Sequence, residues 1–138
     1  GDNLFGSLES FGGFLEPTGG FVIGGLDASG QTVYDFLFFG SRMGVSDNRE
    51  TMYTATGANS DFALLDTANN TDNVALLSGI QADANGEIVI SVTAGPNNTN
   101  SSGFYYLGYM EFTSNPVPAP ASAMMLGLGS LVMTRRRR

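Results

Sequence analysis

The chain has 138 residues with no His, no Cys and no Lys, so a Ser-His-Asp triad lacks its base and neither a cysteine nucleophile nor a lysine Schiff base can form. Zinc, haem and iron-sulfur centres also lack their usual ligands, which leaves oxygen-ligated ions such as a structural calcium as the metal chemistry still open. Four of the six basic residues are Arg135, Arg136, Arg137 and Arg138, so only Arg42 and Arg49 face all thirteen acids within residues 1–115, a net charge of −11 there that argues against nucleic acid as a partner.

The first residues, Gly1-Asp2-Asn3, carry neither an initiator Met nor an apolar leader, and the expectation is a mature or truncated chain. From Phe21 onward, short runs of β-branched and aromatic residues alternate with Gly, Asn, Asp and Ser clusters. This spacing predicts strands at Gly20–Gly24, Thr32–Gly40, Thr51–Gly57, Asp61–Leu65, Asn73–Ser78, Glu87–Ala94 and Phe104–Thr113. No helical period interrupts them.

In the second strand, Tyr34, Phe36 and Phe38 point one way and Val33, Leu37 and Phe39 the other, the pattern of a central strand covered on both sides. After it comes the densest polar block, Phe39-Gly40-Ser41-Arg42 through Asp47-Asn48-Arg49-Glu50-Thr51. Asp47 and Glu50 could act as a glycosidase-like carboxylate pair or, with Arg42 and Arg49, as ligand-binding groups. The structural reading is favoured, because arginine suits carboxylate pairing and a loop leaving a central strand must satisfy its backbone.

The loops Asn69–Asn73 and Pro96–Ser102 are rich in short polar side chains that can satisfy their own backbone, and their Asn-x-Thr and Asn-x-Ser triplets carry little weight. Asp83-Ala84-Asn85-Gly86 contains the Asn-Gly pair of a hairpin turn, a simpler explanation of Asp83, Asn85 and Glu87 than a calcium loop. Beyond it, Ile88, Ile90 and Val92 form a dry face opposite Glu87, Ser91 and Thr93, with Val89 the exception. In the last strand, Phe104, Tyr106, Met110 and Phe112 share one face, and Tyr105, Leu107 and Tyr109 the other. Tyr105 and Tyr109 are the candidate sugar-stacking residues, set against an ordinary core role.

Asn115–Pro120 reads as a proline-rich linker. Residues 121–134 are uncharged and mostly apolar; as a short helix they would rise about 21 Å, less than a bilayer core of roughly 30 Å, which suits transient insertion. The four arginines would stay cytoplasmic and leave the acidic domain across the membrane.

Pro118-Ala119-Pro120, the apolar stretch and the closing arginines resemble a PEP-CTERM sorting signal, in the Pro-Ala-Pro variant of planctomycete-like bacteria. The resemblance implies an exosortase-type transpeptidase as partner, cutting near the proline motif, and export through the inner membrane to the envelope, cell surface or extracellular matrix. Over residues 20–113 the polar block and its strand are similar to secreted galactose-binding-like jelly rolls. The sequence is thus read as an acidic all-β, antiparallel, jelly-roll-like β-sandwich over residues 1–114, a linker over 115–120 and a sorting segment over 121–138. Its expected function is that of a non-catalytic surface or matrix component with no cofactor, associated with exopolysaccharide. A carbohydrate-binding module, or the accessory domain of a larger hydrolase, is the alternative.

Overall fold

The computed structural model describes residues 4–6, 10–11, 14–15 and 19–118. They form eleven strands: β1 (Leu4–Gly6), β2 (Ser10–Phe11), β3 (Phe14–Leu15), β4 (Gly19–Ile23), β5 (Thr32–Phe39), β6 (Glu50–Thr56), β7 (Ser60–Asp66), β8 (Ala75–Ile80), β9 (Ile88–Ala94), β10 (Tyr105–Leu107) and β11 (Tyr109–Pro116). There is no helix among the described residues, and so none long and apolar enough to cross a membrane. The expected apolar helix, Ala119, Pro120 and the arginines from Arg135 to Arg138 lie outside them.

Two antiparallel sheets carry the fold, one in the order β4-β9-β6-β7 and the other β11-β5-β8. Two short pairs, β1 with β10 and β2 with β3, accompany them. The first three strands precede the residues where the alternating pattern begins, which is why the sequence reading does not include them.

Strict alternation builds the core. Ile88, Ile90 and Val92 on β9 are fully buried while Val89 is 42% exposed, as the two-residue period requires. Tyr34, Phe36 and Phe38 on β5 and Ala75, Leu77 and Ile80 on β8 meet Tyr53 and Ala55 on β6 and the β9 residues in one cluster. Burying each large side chain contributes roughly 1.5–3 kcal/mol. Phe38 and Tyr53 stack across the two sheets, ring centroids 4.7 Å apart and planes within 6°.

Three expectations change. β5 is central in its sheet, but it is not covered on both sides: Val33, Leu37 and Phe39 are only half-buried, because that face also carries the polar Asp35 and no further layer packs on it among the described residues. Asp83–Gly86 is a tight turn in which Asp83 Oδ1 accepts from the backbone N–H groups of Asn85 and Glu87 at 2.9 Å each, with positive φ at Gly86 alone (73°). It joins β8 to β9, which belong to different sheets, so it closes no hairpin.

The third change concerns Phe104–Thr113, which is two strands. β10 pairs with β1, and at Gly108 the chain turns into β11, paired with β5; the Gly108 N–H donates to Phe39 O at 2.9 Å. Tyr105, Tyr106 and Leu107 are all buried, which breaks the alternation assumed across the segment. β11 also runs on through Asn115 and Pro116, and the Val117 N–H donates to Gln31 O at 2.8 Å. Pro116 is tolerated because β11 is an edge strand in which its missing N–H leaves no ladder bond unmade.

The Tyr53 hydroxyl donates to Tyr106 O at 2.6 Å in a buried position, and burial pushes its pKa up. Tyr53→Phe keeps the stack and strands that carbonyl, so unfolding in urea should show a loss of about 1–3 kcal/mol. Phe38→Ala, which empties the same contact, should cost about 3–5 kcal/mol.

Candidate functional site

The polar block after β5 folds into a loop that meets two others, the β7–β8 connection and the β9–β10 connection. Asn48 starts the arrangement. Its Oδ1 accepts from the Glu50 N–H at 2.8 Å, an Asx turn that launches β6, and its backbone carbonyl accepts from the Thr99 N–H at 3.1 Å. Asp66 at the end of β7 closes the second side: its Oδ1 accepts from the N–H groups of Arg49 and Ala68, both at 3.0 Å.

Arg49 is the hub. Its Nε donates to Asp47 Oδ1 at 2.8 Å, its Nη1 to the Tyr106 hydroxyl at 2.8 Å, and its guanidinium lies 5.6 Å from the centre of the Phe104 ring. The second Asp47 oxygen accepts from Asn100 Nδ2 at 2.7 Å. The Arg49 bond, aided by Asn100, holds the Asp47 carboxyl below the usual carboxylate range, and Asp47 in turn raises the Arg49 pKa.

Glu50 turns away from this pair. Buried to 9% exposure, it accepts from the Asn97 N–H (2.9 Å) and from Asn97 Nδ2 (3.1 Å). Asn98 Nδ2 donates to the carbonyls of Glu50 and Phe104 at 2.9 and 2.8 Å. Asp47 and Glu50 therefore serve separate partners, and no group of three or more acidic side chains among the described residues could hold a metal ion.

The structure brings together Asp47, Arg49 and Glu50 but not the other candidates. Arg42 is exposed earlier in the same β5–β6 loop, which its backbone N–H ties to Thr67 O at 2.8 Å. Tyr105 is 1% exposed in the core, its hydroxyl accepting from the Gly19 N–H at 2.8 Å, so its ring offers no face to a sugar. Tyr109 is 53% exposed on the outer side of β11 and donates to Glu111 Oε2 at 2.8 Å, which raises its pKa.

Sequence reasoning missed Tyr106, Asp66, Asn98 and Asn100 as members of the cluster. The asparagine loops do form turns, but Asn98 and Asn100 also reach residues 48 and 53 positions away, and no local signal reports that. Asn70, 5% exposed, similarly donates from Nδ2 to Gly40 O at 2.9 Å. Compared with known proteins, the chain matches no family model, no curated protein and no solved structure.

Because the folded Asp47 carboxyl titrates below its unfolded value of about 3.9, its contribution is complete above that pH and is lost as pH falls through the depressed folded value. The stability difference between wild type and Asp47→Asn should thus be constant from pH 7 to about 5 and shrink towards pH 2. Urea titrations across that range check this; a difference that grows on acidification would contradict the assignment.

Proposed function

We propose that this chain is a non-catalytic, exported display protein: a jelly-roll β-sandwich carried to the cell surface or matrix by a PEP-CTERM-like tail. The strand order supports the jelly roll. Sheets ordered β4-β9-β6-β7 and β11-β5-β8, with the chain crossing between them at nearly every connection, are in keeping with the interleaved Greek keys of that architecture. The apolar segment and the arginines that follow Pro118 support sorting, since they suit transient insertion with the basic end inside.

The observation that carries the non-catalytic reading is the closure of the polar cluster on itself. Asp47 is engaged by Arg49 and Asn100, Glu50 by Asn97, and Asp66 by three donors around Asn48 and Ala68. These carboxylates hold three loops together, and a general acid or base needs a proton path to substrate instead. With no His, Cys or Lys in the chain, no other conventional nucleophile-base pair competes.

Expression of the intact gene in a Gram-negative host with and without its exosortase tests the reading. With the enzyme, intact-mass analysis should find a surface fraction ending near Pro118–Pro120; without it, the chain should stay full length in the inner membrane. Replacing Arg135 to Arg138 by Ser should abolish membrane retention. A full-length, unprocessed chain soluble in the cytoplasm of the enzyme-bearing host would reject the proposal. Affinity-gel retardation on polysaccharides, lost in Tyr109→Ala or with chelator, would instead favour the carbohydrate-binding alternative.

A further inference from the structure

The proline motif begins where the sheet ends. The Val117 N–H donates to Gln31 O at 2.8 Å, continuing the register in which Pro116 faces Thr32, and the next residue is Pro118. A peptidase takes its substrate as an extended strand, with several residues on either side of the bond that it cuts. The residues on the N-terminal side of a cut at Pro118-Ala119-Pro120 are therefore ones that β5 and Gln31 hold.

Little else fastens that stretch. From Glu111 to Pro118 every residue is exposed, and β11 has no neighbour on its other edge among the described residues. Phe112 is the last apolar anchor, its ring centre 5.8 Å from that of Phe36 and 6.3 Å from that of Tyr34. Beyond it the side chains join the strands through Asn115, whose Nδ2 donates to Asp35 Oδ2 at 2.7 Å.

Asp35 is set for this bond by an irregularity in β8. Tyr34 pairs with Ile80 and Phe36 with Leu77, so Ser78 and Gly79 both oppose Asp35, with Gly79 at φ 75°. The Gly79 N–H donates to Asp35 Oδ1 at 2.8 Å, which fixes the carboxylate and leaves Oδ2 for β11. Around Gln31, Asp27 Oδ2 accepts from the Thr32 hydroxyl at 2.7 Å and Gln81 Nε2 donates to Gly30 O at 3.2 Å. The β5 side is braced, so the end of β11 is the part that can leave.

We propose that the Asp35–Asn115 and Gln31–Val117 bonds form a latch on processing: the end of β11 beyond Phe112 must peel from β5 before a peptidase can seat the bonds around Pro118. The inference rests on the sorting reading for the identity of the enzyme, not for the latch itself. Cleavage breaks one peptide bond, whose acyl carbon passes to water, or to an amine acceptor in transpeptidation, while the new amine leaves with the tail. When opening is fast relative to cutting, the rate follows the population of the open form. Weakening the latch thus speeds processing without moving the cut.

Two measurements on the full chain in mild detergent test the latch without the sorting enzyme: hydrogen exchange at the Val117 amide, and cleavage by a proline-specific endoprotease followed by intact mass. Asn115→Ala should raise both rates about three- to tenfold and leave exchange at Ile90 unchanged. Asp35→Ala should act at least as strongly, and Ser114→Ala, an exposed change on the same strand, should do nothing. Asp35→Ala also strands the Gly79 N–H; if thermal melts show it unfolded, Asn115→Ala, on an exposed side chain, decides alone. Equal rates in wild type and Asn115→Ala overturn the latch. In the exosortase-bearing host Asn115→Ala should be processed faster at the same bond, and a variant that quickens the endoprotease but not this step overturns the role in sorting. A latch effect in vitro beside a chain that the host leaves unprocessed supports the latch and rejects the sorting reading alone.

Discussion

The ring of Tyr53 lies flat on Phe38 between the two sheets while its hydroxyl holds Tyr106 O, so one side chain joins β6, β5 and β10. Stacking of this kind adds about 0.5–1.5 kcal/mol to burial alone, and the buried hydrogen bond removes a carbonyl that would otherwise be unsatisfied. Gly40 lies directly against it: a Cβ there would come within 2.7 Å of the Tyr53 hydroxyl and 2.5 Å of Tyr106 O. The chain can leave β5 at that point only without a side chain. The polar loop that follows inherits its position from this contact.

From Tyr106 the same constraint reaches the loop cluster. Its backbone N–H donates to Thr51 Oγ1 at 3.1 Å, its carbonyl accepts from Tyr53, and its own hydroxyl accepts from Arg49. The core and the polar end of the domain are therefore one connected unit. Disturbing the Tyr53–Phe38 stack should loosen the arginine hub as well as the sheets, since residues that share partners do not act additively.

Much of the strand pattern was legible because alternation is local. Ile88, Ile90 and Val92 announce a half-wet strand by residue type alone, and Tyr34, Phe36 and Phe38 announce the buried side of β5. The candidate site was legible only in part. Asp47, Arg49 and Glu50 stand within four residues of one another, so their clustering is visible in the chain, whereas Asn97, Asn98, Asn100 and Tyr106 join them from about fifty residues away. Tyr105 and Tyr109 look equivalent in sequence, yet one is core and the other surface, because the chain changes pairing partner at Gly108.

By itself the sequence determined the all-β character, the acidic surface and the chemistries that missing His, Cys and Lys forbid, since these follow from residue type and from a period of two. Tertiary structure alone decided which strands are neighbours, that Asp83–Gly86 links two sheets rather than closing a hairpin, and that the carboxylates of the polar block face inward to asparagine and arginine. The physical reason is that turn chemistry and alternation act over a few residues. Sheet order and side-chain partnership are settled by which buried faces pack together and which buried polar groups must find partners.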